Sequence, residues 1–304
     1  MRLFRTEYGR HLVLGALVLG ATACVALGAA LLGADNAPSP LIDTPAKAKA
    51  AQEACAAQLG KPVQWTNGAG MNFQLVPAGE FMMGSPGDAD APLHRVRLTK
   101  PFYLATTEVT RAQWEALTGT VRSTYFPGAE MPINCVSWYE AQQFIGALSK
   151  KEGVKYRLPT EAEWEFAARG GATTRFPAGD AEQDLDRAGW FVKNSDNVLH
   201  AVGQKEPNAF GLQDMHGNAW EWCDDFYDPQ SYAVSPLEDP KGPERSLYRY
   251  RVLRGGSIFY GAGMCASGHR DYFQESRYEK HIGFRVLLPI PAEPMPAPKP
   301  PKAK

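Results

Sequence analysis

Apolar residues recur at helical spacing in the middle of the chain. Directly after Ser137, a residue type that caps helix N-termini, they stand three or four positions apart, at Trp138, Ala141, Phe144, Ile145 and Leu148. Thr110 precedes a shorter helical stretch that ends near Leu117, and Thr160 with Glu163 forms a capping box before another. The pattern predicts three helices, which begin after Thr110, Ser137 and Thr160.

Short apolar segments bounded by turn residues predict strands elsewhere. Residues 73–76 and 95–98 are typical of brief strands, and glycines and prolines separate them. Beyond Gly170 the sequence predicts little regular structure, although Trp220 and Trp222 are typical core residues. So much irregular chain needs bound ions, buried polar networks or cysteines to hold it.

The first 34 residues have a different pattern. Arginines precede an uncharged apolar run over residues 12–33, which would span about 33 Å as a helix, close to the roughly 30 Å of a bilayer core. The run predicts a signal-anchor helix that places the domain on the periplasmic or extracellular side. The alternative is a signal peptide, because Ala21-Thr22-Ala23 resembles a cleavage site and Cys24 resembles a lipoprotein cysteine. Both alternatives export the domain.

Small residues line one face of this predicted helix. They are spaced four apart, which lets membrane helices approach closely, at Ala16, Gly20, Cys24 and Gly28. Because small residues are frequent throughout the segment, the spacing is only a weak indication of helix–helix packing in the membrane.

The remaining chain divides by composition. Residues 35–65 are typical of a tether with an Ala-rich helix from Ala46 to Leu59. Residues 66–288 carry the motifs of a folded domain, and residues 289–304 form a Pro- and Lys-rich tail of extended polyproline type. We therefore expect one folded domain between two ends that carry no chemistry.

Composition excludes several function classes. The 304 residues include 32 Lys and Arg against 33 Asp and Glu, a net charge of −1 that gives no global attraction to nucleic acid. Five cysteines are too few for a disulfide-built fold. The usual histidine and cysteine spacings of zinc and iron sites do not occur, nor does a P-loop, dinucleotide-binding or serine-hydrolase motif.

Two acidic residues near the tryptophans are candidates for a metal site. Asp214 and Glu221 flank Gly217, so a bent loop would bring two carboxylates and the intervening backbone carbonyls together. Oxygen ligands on irregular backbone suit a hard cation such as calcium, although capping acids would give the same pattern. His216 lies between them, and we expect it to be a hydrogen-bonded structural residue because no second histidine is nearby.

The segment after Arg254 is a second candidate site. Two glycines allow close backbone approach, and Ser257 would present a hydroxyl in a cleft. Cys265 follows, and an exported cysteine is either paired or a reactive thiol. Cys223 is a disulfide partner that the spacing allows for Cys265.

Longer motifs occur in order along the same region. They are FQLVPAGEFMMG at 73–84, EVT at 108–110, PINCVSWYEA at 132–141, YRLPTEAEWEFAA at 156–168, NAFGLQDMHGNAWEW at 208–222, RVLRGGS at 251–257, Cys265, and IGFR at 282–285. Together they resemble the formylglycine-generating enzyme, or sulfatase-modifying factor, family over residues 66–288. The resemblance implies an α+β fold related to C-type lectins, with little regular secondary structure, to which the run at residues 12–33 adds one expected transmembrane helix.

The resemblance also implies a structural calcium ion. In the family, such an ion is held by the positions that match Asp214, Gly217, Ala219 and Glu221, two of them through backbone carbonyls. All four residues are compatible with that role. A second calcium position of the family falls near Gly189, where the following segment matches poorly, so only the first is expected.

The catalytic positions depart from the family. Its oxidases hold copper between two cysteines five residues apart, and the resemblance places Tyr260 at the first of these positions and Cys265 at the second. The family's tryptophan and histidine in this segment are replaced by Ile258 and Gly261. A soft Cu(I) site needs a thiolate pair, which one thiolate and one phenol do not provide. Copper-dependent oxidation of a substrate cysteine to formylglycine is therefore not expected.

Two functions remain open. One is a binding or assembly module of the envelope, which recruits a protein or glycan through the cleft around Ser257, Tyr260 and Cys265. The other is an oxidoreductase of the family, which acts on an exported substrate with a reworked centre at Cys265, together with Ser257, Tyr260 or His269. The missing first cysteine favours the binding module, whereas the family resemblance favours the enzyme.

Overall fold

The computed structural model describes residues 39–122 and 125–290. The predicted membrane run at residues 12–33 with its stripe of small residues, and all of the predicted tail beyond Ile290, lie outside these ranges. Within the described part of the chain, no helix is long and apolar enough to cross a membrane.

Three of the five α-helices in the described chain begin at the caps that the sequence predicts. Their bounds are α1 (Pro45–Leu59), α2 (Arg111–Thr118), α3 (Trp138–Glu152), α4 (Glu161–Arg169) and α5 (Glu182–Ala188). The side chains of Thr110, Ser137 and Thr160 each accept a hydrogen bond from the third backbone N–H of the helix that follows, and each forms a complete capping box. The three predicted helices are confirmed, as is the Ala-rich helix, which Thr44 caps.

Ten strands form three sheets in the described chain. They are β1 (Gln64–Thr66), β2 (Asn72–Val76), β3 (Gly79–Met83), β4 (His94–Leu98), β5 (Phe102–Ala105), β6 (Trp220–Phe226), β7 (Tyr250–Arg254), β8 (Arg270–Gln274), β9 (Ile282–Gly283) and β10 (Leu287–Pro289). The sheet orders are β1-β2-β5-β10, β3-β4 and β8-β7-β6-β9. Only the β6–β9 pair is parallel within these ranges. The two strands predicted from sequence are confirmed as β2 and β4.

The region beyond Gly170 is more regular than the sequence predicts, because it supplies the whole β8-β7-β6-β9 sheet. The sequence of β6 does not have the pattern of a buried strand, because acidic residues that are themselves buried interrupt its apolar residues. Glu221 of β6 is fully buried between two buried tryptophans, where Arg285 balances its charge. A polar residue inside a strand normally indicates the solvent face, and here it does not.

Aromatic packing fills the core between the first sheet and helices α2 and α3. The rings of Trp114 and Phe144 stack 5.4 Å apart, and Phe284 meets Phe144 edge-on at the same distance. Trp220 and Trp222 belong to the same cluster and are buried, as the sequence predicts. This core fixes the end of β6 next to the candidate residues.

Buried ion pairs hold the irregular segments. Arg254 pairs with Glu165 where both side chains are fully buried, and its guanidinium also donates to the carbonyl oxygens of Ser267 and His269 at 2.8 and 2.6 Å. Arg169 pairs with the same carboxylate at 2.7 Å and donates to the Gly84 carbonyl oxygen at 2.7 Å. The buried polar network that the irregular chain requires is therefore present, and it fixes the loops at residues 84–85 and 267–269.

Candidate functional site

Two glycines bend the chain after β7 toward the candidate residues. Gly255 and Gly256 have φ angles of 96° and 77°, which favour glycine. A Cβ atom built on Gly256 would lie 2.5 Å from Sγ of Cys265. The glycine at position 256 therefore lets the backbone lie directly against the thiol.

Cys265 ends a short 3-10 helix and is fully buried. It lies in a small core cluster with Phe176, Leu185 and Phe191, and burial raises the pKa of its thiol to about 12. The thiol is protonated at neutral pH and packs as a core residue. The disulfide with Cys223 that the spacing allows is not formed, because both thiols are free and Cys223 lies in a different core cluster.

Ser257 and Tyr260 have different surroundings. The Ser257 side chain is fully buried, so its hydroxyl does not face solvent, whereas Tyr260 is half-buried. The Tyr260 ring meets Trp220 edge-on at 5.7 Å, and burial raises the pKa of its phenol. The structure therefore brings Ser257 and Cys265 together beneath Gly256 and leaves Tyr260 near the surface.

His216 is the structural residue that the sequence predicts. Its side chain is buried, and Nδ1 donates to the Cys265 carbonyl oxygen at 2.9 Å. Burial lowers the pKa of the imidazole to about 4, so the ring is neutral near pH 7. The histidine positions the 3-10 helix rather than offering a charge to a ligand.

A surface next to Tyr260 was not predicted from the sequence. We call it the aromatic patch, and it consists of Tyr125, Phe259, Tyr260, Lys280 and His281. The Lys280 ammonium lies 4.4 Å from the Phe259 ring centroid, and the His281 ring meets Phe259 and Tyr260 at 5.3 and 5.7 Å. Tyr125 is 74% exposed. Aromatic rings with a cation at their face are typical of interaction surfaces, and the only sequence signal was that Lys280 and His281 directly precede the IGFR motif.

The loop that carries Asp214 lies against this segment. Gly217 has a φ of 93°, and a Cβ atom there would lie 2.0 Å from the Trp190 carbonyl oxygen. The Gly217 N–H donates to the Gly255 carbonyl oxygen at 2.7 Å. The two sites that the sequence indicates are therefore neighbours, joined backbone to backbone.

Three buried carboxylates lie near one guanidinium. Glu221 accepts two hydrogen bonds of 2.6 Å from Arg285 and one of 2.7 Å from Trp164. In contrast, both carboxylate oxygens of Glu108 and Oδ1 of Asp214 are buried without a hydrogen-bond partner. Burial, with repulsion from Asp214 and Glu221, raises the pKa of Glu108 well above its usual range, and burial raises that of Asp214 to about 6.

The comparisons with known proteins agree with the fold. The family model described as sulfatase-modifying factor enzyme 1-like domain matches residues 63–290. The chain belongs to this family.

Two relatives and a solved structure illustrate the breadth of the sulfatase-modifying factor family. A formylglycine-generating enzyme of Streptomyces coelicolor is 33% identical over 62% of this chain and 79% of its own length. The serine/threonine-protein kinase pkn1 of Chlamydia pneumoniae is 36% identical over 65% of this chain, which spans only 35% of that kinase. The structure of PvdO from Pseudomonas aeruginosa has a TM-score of 0.68 at 28% identity, and covers 76% of this chain and 99% of its own. Family membership is thus shared by proteins with quite different names.

The calcium ion that the sequence resemblance implies stays a prediction, and the buried carboxylates suit it only in part, because Arg285 and Trp164 already bind Glu221. The carboxylate oxygens without a hydrogen-bond partner belong to Glu108 and Asp214, whereas Arg285 pairs directly with Glu221 and attracts the other two carboxylates only at longer range. Among the described residues, no three His, Cys, Asp or Glu side chains are placed to hold a metal, so backbone carbonyls, as expected at Gly217 and Ala219, would have to complete the site. Calcium held there would neutralise buried charge and tie the Asp214 loop to Glu108.

Proposed function

We propose that the chain is an exported, membrane-tethered member of the sulfatase-modifying factor family that acts as a binding or assembly module in the envelope. In this proposal, it does not carry out copper-dependent formylglycine formation. The expected apolar run at residues 12–33 supplies the tether, and the folded domain supplies the binding surface.

The proposal rests on one observation, which is that the Cys265 thiol is buried and protonated. The family's copper site requires two thiolates, and here the only cysteine at those two positions is fully buried with a pKa of about 12. Tyr260 stands at the other position, and burial also raises the pKa of its phenol. One thiol and one phenol do not make the thiolate pair of a soft Cu(I) site, which supports the proposal that this oxidation does not occur here.

The aromatic patch supports the binding role. It exposes tyrosine and lysine side chains beside Tyr260, at the position where the family's catalytic segment reaches the surface. Lys280 adds positive charge over the Phe259 ring. A protein partner with acidic or aromatic side chains complements such a surface.

Photo-crosslinking in whole cells tests the binding role. A photo-crosslinking residue in place of Tyr125 is expected to capture a discrete envelope protein, and the Lys280→Glu change should lower the yield by about tenfold, a loss of roughly 1.4 kcal/mol in binding. Cys265→Ser should leave capture intact. The matched control is the same residue at Val234, which is 80% exposed elsewhere on the domain. Equal products from the two positions would refute the proposal.

An oxidoreductase remains the second candidate, favoured by the 33% identity to the formylglycine-generating enzyme of Streptomyces coelicolor. Copper uptake separates the two. We expect the purified chain to retain no Cu(I) after desalting, and to leave the cysteine of a sulfatase-derived peptide unchanged. One retained equivalent of Cu(I) that is lost in Cys265→Ser, together with aldehyde formation in the peptide, would instead establish the enzyme.

A further inference from the structure

A large cavity lies apart from the aromatic patch. Its volume is about 1030 Å³, and its walls come from the start of the described chain at residues 41–43, the β3–β4 loop, residues 172–175 and the segment 263–269. None of the patch residues lines it. This volume is close to the upper limit of about 1,000 Å³ for ligand-binding cavities.

One wall of the cavity is an open strand edge. Along β3, the backbone of Glu80 points away from β4, because its N–H donates to the Pro40 carbonyl oxygen and its carbonyl oxygen accepts from Ile42. Met82 is two residues further along β3. Because the backbone groups of successive residues in a strand point to opposite edges, the N–H and carbonyl oxygen of Met82 point to the same edge as those of Glu80. The chain has by then turned into α1, and within the described ranges the Met82 N–H and carbonyl oxygen form no hydrogen bond.

The mouth of the cavity is apolar. Three large side chains that line it remain substantially exposed, with exposed fractions of 43% for Leu41, 44% for Met82 and 45% for Leu93. Exposed apolar side chains are ordinary when scattered, but three around one opening indicate a surface that another apolar group covers. An extended peptide added beside Met82 would place alternate side chains against them.

The far end of the cavity offers a cation. The Arg175 side chain is exposed and forms no ion pair with a carboxylate within the described chain. Of the acidic residues in the lining, Asp43 is paired with Lys47, whereas Asp88 and Asp180 accept backbone N–H bonds. The Arg175 guanidinium donates within the lining only to the Asp180 carbonyl oxygen, at 3.4 Å, so a ligand carboxylate would complement its charge.

We propose that this cavity binds an extended peptide segment of a protein partner, which adds as a short strand to the edge of β3 at Met82. The segment has apolar side chains at alternate positions, which contact Leu41, Met82 and Leu93. It also has an acidic side chain or C-terminal carboxylate that pairs with Arg175. Backbone bonds to Met82 supply affinity, and the side chains supply the selection, as in other cases of strand addition.

Selection from a phage-displayed library of random 12-residue peptides on the purified full-length chain tests the proposal. We expect enriched peptides with alternating apolar residues and one acidic group. Met82→Pro removes an N–H that the β3–β4 pairing does not use, so binding should fall at least about tenfold, the value of one lost hydrogen bond of roughly 1.4 kcal/mol. Met82→Leu is the matched control and should bind normally.

Two further arms keep the test decisive if Met82→Pro does not fold. Gly263→Leu should block the cavity, because a Cβ atom there meets only the Arg175 guanidinium, at 3.6 Å. Methylation of one backbone nitrogen of a selected peptide should abolish binding when the nitrogen belongs to every second residue, and should be tolerated at the residues between them. Peptides that bind Gly263→Leu normally, that tolerate methylation everywhere, or that are not enriched at all would overturn the proposal. None of these results bears on crosslinking at Tyr125, so the two proposals fail separately.

Discussion

Replacing Arg285 with methionine is expected to destabilise the domain by about 3–5 kcal/mol, because the change leaves the buried Glu221 carboxylate without the cation that pairs with it. The Arg285 side chain is fully buried and pairs with both oxygens of Glu221. It also donates to the carbonyl oxygens of Ala105, Thr106 and Gln213 at 3.0–3.2 Å. Loss of the guanidinium therefore leaves Glu221 without its ion pair beside Glu108 and Asp214, and removes one hydrogen-bond donor from each of three backbone carbonyl oxygens.

Urea unfolding followed by tryptophan fluorescence measures this effect. The matched control is Arg187→Met, which removes an exposed pair with Glu206 and should leave the unfolding midpoint unchanged. Adding Glu221→Gln to Arg285→Met should recover part of the loss, since the neutral amide is less costly to bury. A loss below about 1 kcal/mol in Arg285→Met would show that water or a bound cation already screens these carboxylates.

Local signals in the sequence predict the helices well. Ser137 and Thr160 act through hydrogen bonds to residues three positions away, so the sequence alone contains both partners. The motifs likewise identify the family, because they are local strings of residues in a fixed order.

Long-range pairing is what the sequence does not reveal. Glu221 and Arg285 are 64 residues apart, and Glu165 and Arg254 are 89 apart. Without these partners, the acid inside β6 indicates a loop, and the sheet that contains it is missed. Burial of Cys265 depends in the same way on Phe176 and Phe191, which no motif links to it.

The sequence identifies the segment that forms the candidate site, but not the exposure or protonation of its side chains. Gly256, Ser257 and Cys265 lie together, yet burial leaves the thiol protonated and the hydroxyl enclosed rather than in a cleft. In the aromatic patch, the Lys280 ammonium lies 5.9 Å from the Tyr125 ring centroid, although more than half of the domain's sequence separates the two residues. Only the folded structure could reveal such a surface.

Glu108 is expected to make the stability of the domain depend on calcium. Both its carboxylate oxygens are buried without a hydrogen-bond partner, and the Asp214 loop beside it contains the calcium position that the sequence resemblance implies. At a free calcium concentration 100 times the dissociation constant, binding to the folded state alone would stabilise it by about 2.7 kcal/mol. The thermal midpoint of the wild-type chain should therefore rise with added calcium and fall with a chelator.

The Glu108→Gln variant gives this prediction its sharpest form, because the amide has the same shape without the charge. In the presence of chelator, the variant should be more stable than the wild type, since it lacks a carboxylate that repels Asp214 and Glu221. With calcium, the order should reverse, because the variant loses an anionic ligand. Glu206→Gln, at an exposed position, should respond to calcium as the wild type does. If Glu108→Gln also responds fully, the calcium ion is held without Glu108; if neither protein responds, the buried charge is neutralised by protons instead.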